Sequence, residues 1–198
     1  MPYKSTLQQV LRQSLLVLAS AFLVFQSFGL LSGMDYYADI RFWPAVFLAW
    51  VINMFITGIF AFAGFALPTQ RLLPARYYHI ANPGQLKRLY QAFGVERFRK
   101  LLLATLWRSK AKQQRYFNGR ADGLKHLAEQ SKKAEFGHLL PFVLLSAVGT
   151  YIVFFVQPVL GISCLFINFL GNFYPVLLQR HHRMRLQRIG AIRTTARA

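Results

Sequence analysis

Acidic residues are scarce in this sequence: six Asp and Glu stand against 24 Lys and Arg in 198 residues, a formal net charge of +18. Cysteine is scarcer. The single one, Cys164, excludes a disulfide framework within the chain. It falls inside a long apolar stretch, where a thiolate nucleophile is disfavoured and a packing role is expected. No H-x-x-x-x-D acyltransferase motif, G-x-S-x-G nucleophile elbow or phosphate-binding loop occurs anywhere. Histidine numbers five, with His79 and His126 isolated. Membrane di-iron hydroxylases carry several closely spaced histidine pairs where this chain has one, His181–His182, and neither a metal nor a resident cofactor is expected.

What the chain has in abundance is apolar surface. It is 55% hydrophobic and 16% aromatic, too apolar for an ordinary soluble domain, and its pI is near 10.9. A pI that high suits nucleic-acid binding, but uninterrupted apolar runs have no place in such a domain. Dense basic segments between apolar spans describe a small polytopic membrane protein instead. The longest run, residues 139–179, has 41 residues without a Lys, Arg, Asp, Glu or His. As one helix it would be about 60 Å long, roughly twice the hydrocarbon thickness of a bilayer. It must fold back, and Gln157–Pro158 near its middle is the expected turn. The spans are then 13–34, 42–67, 139–156 and 158–179, in an all-α protein with four transmembrane helices forming a single membrane domain over 1–198. A cleaved signal peptide is the rival for the first span. That apolar run is longer than a signal core, and no small-x-small cleavage site follows it.

The basic residues divide sharply. Two Lys or Arg precede the first span, one lies in the Asp35–Arg41 connector, 15 fall in the loop 71–138, none falls between the last two spans, and six follow Gln179. The positive-inside rule then places both termini, the loop and the tail 180–198 in the cytoplasm, as an integral protein of the cell membrane. Within the loop, two short amphipathic helices broken near Gly94 are expected. Leu86, Leu89, Tyr90 and Phe93 share one face, and Phe98, Leu101, Leu102 and Leu106 share the other. Their basic flanks suit a bilayer with anionic headgroups, and equally an anionic acyl donor such as a coenzyme A or carrier-protein thioester. Residues 110–123 read as turn-like, and 124–135 as a helix that runs into the third span and bends at Pro141.

Four stretches in order carry a family resemblance: PARYYHI, LYQAFGVERFRKLL, KKAEFGH entering the third span, and NFYPVLLQRHHRMRL leaving the fourth. Over about 74–186 the chain resembles the glycosyl-4,4'-diaponeurosporenoate acyltransferase family, small integral membrane proteins of carotenoid biosynthesis. Lys132, Lys133, Ala134, Glu135 and His138 fall on the family's third-span entry pattern. Asn172, Gln179, Arg180, Arg183, Arg185 and Leu186 fall on its fourth-span exit pattern. Gln130 replaces a Glu of that pattern, His181–His182 replaces a Tyr-Asn pair, and Pro175 lies one place late. The resemblance implies transfer of a fatty acyl group from a thioester donor to a sugar hydroxyl of a glycosylated carotenoid or glycolipid.

Such a reaction needs a base for the hydroxyl proton and donors for the developing oxyanion. A hairpin returns its ends to one membrane face, so Glu135 and His138 are expected near Gln179, Arg180, His181 and His182. Three residues apart on a helix, Glu135 can orient the His138 imidazole, with His138 as base. Pro175 leaves the Gly171 carbonyl without its usual partner where Asn168 and Asn172 stack four apart, which reads as a polar pocket wall. Arg180 and Arg183 suit donor phosphates or a headgroup, His181 and His182 join the substrate-binding set, and Gln179 is placed to donate to the reacting carbonyl. Two alternatives stay open. One is a non-catalytic membrane protein that scaffolds or binds lipid for a partner enzyme; the other is a metal-dependent lipid-modifying enzyme using Glu135, His138, His181 and His182.

Overall fold

The computed structural model describes residues 2–105 and 123–195, and among these every regular element is helical. The main helices are α1 (Pro2–Ser32), α2 (Phe42–Ala66), α3 (Ala75–Tyr78), α4 (Pro83–Ala92), α5 (Val95–Ala104), α6 (Gly123–Phe155), α7 (Pro158–Asn168) and α8 (Tyr174–Thr195). A π-helical turn, Phe169–Phe173, joins α7 to α8. Four segments are long and apolar enough to cross a bilayer: Leu7–Ser32, Phe42–Ala66, His126–Phe155 and Pro158–Ile189. The protein is thus an all-α polytopic membrane protein. The third and fourth spans reach further than the limits of the uncharged run suggest. Helix α6 begins at Gly123, ahead of the charged Lys132, Lys133 and Glu135, and α8 continues through the basic cluster after Gln179. The charges do not end these helices because side-chain partners hold several of them.

The chain divides into two compact units, residues 1–69 with 136–173, and residues 70–135 with 174–198. In the first, α1 packs along α2, and α2 against α7. Its core is Met34, Ala45, Ala49, Ile52, Ile56, Leu145, Ile152, Leu160 and Cys164. Asn53 stitches α2 to α7 through the core, its amide donating to the Ala49 carbonyl at 2.9 Å and the Cys164 carbonyl at 3.1 Å. The helical hairpin turns at Gln157, whose side chain caps α7 by accepting from the Leu160 amide, with Pro158 in the first turn. Gly149 and Gly161 let α6 and α7 approach closely. A Cβ on Gly161 would collide with the Val153 backbone nitrogen and lie 2.8 Å from the Gly149 carbonyl oxygen. The outer faces stay apolar: Leu18, Phe22, Phe25 and Phe28 of α1 are exposed, as a lipid-facing helix requires. Tyr36 and Trp43, near the connector between α1 and α2, are exposed as well and suit the interfacial aromatic belt.

In the second unit α4 and α5 both pack against α8. Asn82 caps α4 by accepting from the Gln85 amide at 3.0 Å, and Pro83 fits the first turn. The break between α4 and α5 falls at Gly94, the one described residue with a left-handed backbone, φ 62°. Of the apolar faces read from the sequence, Leu86 and Tyr90 are buried, whereas Leu89, Phe93 and Leu101 are exposed. Packing on α8 takes a narrower stripe than the 3.6-residue period allows, with Val95 completing it. Leu106 and nearly all of the turn-like stretch 110–123 lie outside the described residues.

Candidate functional site

Polar side chains gather at two centres, one in each unit. The centre of the first unit is a ladder of amides ending on a histidine. Its anchor is the Phe142 carbonyl on α6, which accepts from Ser146 Oγ at 2.7 Å and from Asn168 Nδ2 at 3.0 Å. Asn168 Nδ2 also reaches Ser146 Oγ at 3.1 Å. Asn172 Nδ2 then donates to Asn168 Oδ1 at 3.0 Å and to Thr57 Oγ1 at 3.0 Å. The oxygen of the Asn172 amide faces His138 Nδ1 at 3.1 Å. Pro175 has no N–H to give the Gly171 carbonyl. Asn168 and Asn172 are both buried, and His138 is half-buried. The π-helical turn widens the helix by one residue here, a distortion frequent at functional sites.

The second centre is built around the carboxylate of Glu135, which has no exposed side-chain surface. Tyr77 Oη donates to Oε1 at 2.8 Å, and Arg180 Nη1 reaches the same oxygen at 3.3 Å. Arg183, also buried, pairs with Oε2 and donates its Nε to the Tyr78 carbonyl at 3.2 Å. The two tyrosine rings carry the surrounding cations: Arg183 and Lys132 lie 5.0 and 5.2 Å from the Tyr78 centroid, and Arg180 lies 5.2 Å from that of Tyr77. Two of these cations, Arg180 and Arg183, pair with the one carboxylate. Ser131 Oγ donates to the Gln179 carbonyl at 3.2 Å, tying the start of α6 to α8. Segments some forty-five residues apart in the chain, Ser131–Glu135 and Gln179–Arg183, meet here.

Further along α8, His181 is buried and stacks on Tyr90 with ring centroids 4.0 Å apart; His182 is half-buried. Tyr90 Oη donates to Glu96 at 3.1 Å, and Arg99 holds the same carboxylate through Nε at 3.0 Å. Burial first, then the bond to Glu96 and its charge, pushes the Tyr90 phenol up to about 12. The Arg99 bonds hold Glu96 down to about 2. Among the described residues no three His, Cys, Asp or Glu side chains are grouped as ligands of a metal ion.

Of the residues singled out in the sequence, Glu135, Arg180 and Arg183 come together at one centre, and His138 and Asn172 at the other. The sequence reading missed Thr57, Tyr77, Tyr78 and Ser131. A threonine in an apolar span carries no signal of its own. Tyr77–Tyr78 lies in a loop motif whose partners are over fifty residues away. Among known families, one described as glycosyl-4,4'-diaponeurosporenoate acyltransferase has a model that matches residues 74–191, more than half of the chain. No curated protein and no solved structure matches it.

Proposed function

Since the chain belongs to the glycosyl-4,4'-diaponeurosporenoate acyltransferase family of carotenoid biosynthesis, we propose that it transfers a fatty acyl group from a thioester to a sugar hydroxyl of a glycosylated carotenoid or glycolipid. One observation carries the reading: a histidine at the end of an apolar helix, with Nδ1 held by an asparagine, as a general base requires. His138 Nε2 takes the hydroxyl proton as the sugar oxygen bonds to the thioester carbon. The tetrahedral intermediate collapses, the C–S bond breaks, and the thiolate leaves with the proton returned by Nε2. An ester and a free thiol result, and no oxidant or metal enters the balance.

The Glu135 centre supports binding of an anion. Arg180 and Arg183 exceed the single carboxylate by one positive charge, and Lys132 stands over the neighbouring Tyr78 ring. Arg180 keeps 28% of its side chain exposed, so it is available to an acyl-donor phosphate or lipid headgroup. Glu135 holds the arginines in place. The termini and the basic residues of the second unit face the cytoplasm in this reading, where acyl thioesters are made.

Replacing His138 by Ala in a host that accumulates the glycosylated precursor tests the assignment. The expected result is loss of acylated product by about a hundredfold or more, with an unchanged amount of membrane-inserted protein. Unchanged product removes His138 as the base and favours a scaffolding role.

A further inference from the structure

The amide ladder of the first unit has a direction, and its direction decides where the His138 proton sits. A backbone carbonyl accepts only, so Phe142 requires that the Asn168 atom facing it be the NH2 group. Asn168 therefore turns its oxygen toward Asn172, which must present its own NH2 group there, at 3.0 Å. The Asn172 oxygen is thereby turned to His138 Nδ1 at 3.1 Å and requires an N–H from it. Thr57 does not choose between the two amide orientations, because its hydroxyl both donates and accepts. Ser146 Oγ gives its proton to the Phe142 carbonyl at 2.7 Å and so accepts from Asn168, in keeping with the same direction.

We infer that Asn168, which lies two hydrogen bonds from the imidazole, is a positioning residue that fixes the proton of His138 on Nδ1 and leaves Nε2 as the nitrogen that exchanges one. The inference deepens the reading of His138 as base and rests on it for its catalytic consequence, but the tautomer itself is a property of the resting protein. An imidazole protonated on the wrong nitrogen presents an N–H to the sugar hydroxyl and is no base. Asn168 is thus required for turnover rather than for substrate affinity.

The test is nitrogen NMR of histidine-labelled protein in detergent micelles, with the His138 signals assigned by their loss in His138→Gln. The wild type is expected to show Nδ1–H. Asn168→Leu removes the group that orients Asn172, so the expected spectrum is a mixture of tautomers or Nε2–H. Asn168→Asp, as a neutral carboxyl, donates to Phe142 and still accepts from Asn172, and is expected to restore Nδ1–H. A parallel fall in kcat of about ten- to a hundredfold in Asn168→Leu, with KM held, is the kinetic counterpart. Nε2–H in the wild type, or undisturbed Nδ1–H in Asn168→Leu, overturns the inference. A tautomer that shifts while kcat stays constant upholds the ladder and overturns the assignment of His138 as base.

Discussion

Glu135 and Arg183 form a buried ion pair whose worth lies in its completeness. Both side chains are essentially without solvent, and Arg183 without Glu135 would be a buried charge lacking its counter-ion. Glu135→Gln is expected to cost about 3–5 kcal/mol of stability, read as a lower denaturation midpoint in detergent. Pairing Glu135→Met with Arg183→Met is expected to recover most of that loss; a single substitution without effect would show that the pair is dispensable. Tyr90 gives a pH signature at the same scale. Its phenol is raised to about 12, so its neutral form stabilises the fold below the ordinary phenol range, near 10. That contribution is lost as pH climbs through 12. Burial raises the Tyr78 phenol as well, so tyrosinate absorbance should show a late-titrating component that Tyr90→Phe diminishes; a late component unchanged in Tyr90→Phe would contradict the buried bond to Glu96. Which residues mattered was partly legible in the sequence. Glu135, His138 and Asn172 are polar groups in or beside apolar spans, where an idle polar residue is costly. Their partners were not legible. A carboxylate three residues from a histidine suggested a local pair, yet Asn172, 34 residues away, holds the Nδ1 nitrogen, and Tyr77, 58 residues from Glu135, donates to the carboxylate.

Among the elements, the α6–α7 hairpin depends on close backbone contact at Gly161. Gly161→Ala places a methyl against the Val153 backbone and the Gly149 carbonyl, neither of which yields as a flexible side chain would. The expected loss is about 1–3 kcal/mol, read as a lower melting temperature. Gly58→Ala is the control: its methyl would meet only the tip of the Leu23 side chain. Equal effects of the two would mean that the hairpin contact is ordinary. The hairpin turn could be read from length alone, because 41 uncharged residues exceed one bilayer and a Gln-Pro pair sits near their middle. The π-helical turn and the extension of α8 to Thr195 could not. The π-helical turn lies where Asn168 and Asn172 bond to α6 and α2, contacts that no hydropathy pattern records.

At the scale of the whole molecule, four apolar segments make a membrane protein, and the positive-inside rule predicts an orientation that labelling can test. On a Cys164→Ser background, single cysteines at Lys133 and Arg185 are expected to react with an impermeant reagent from the same, cytoplasmic, side. Labelling from opposite sides would break the meeting of α6 with α8 on which the Glu135 centre stands. Chemistry is the remaining claim, and vesicles reconstituted with the purified chain, a long-chain acyl thioester and a glycosylated carotenoid test it most directly. The account predicts one free thiol released for each ester formed, with both lost in His138→Gln. Ester formation by His138→Gln at the wild-type rate would contradict it.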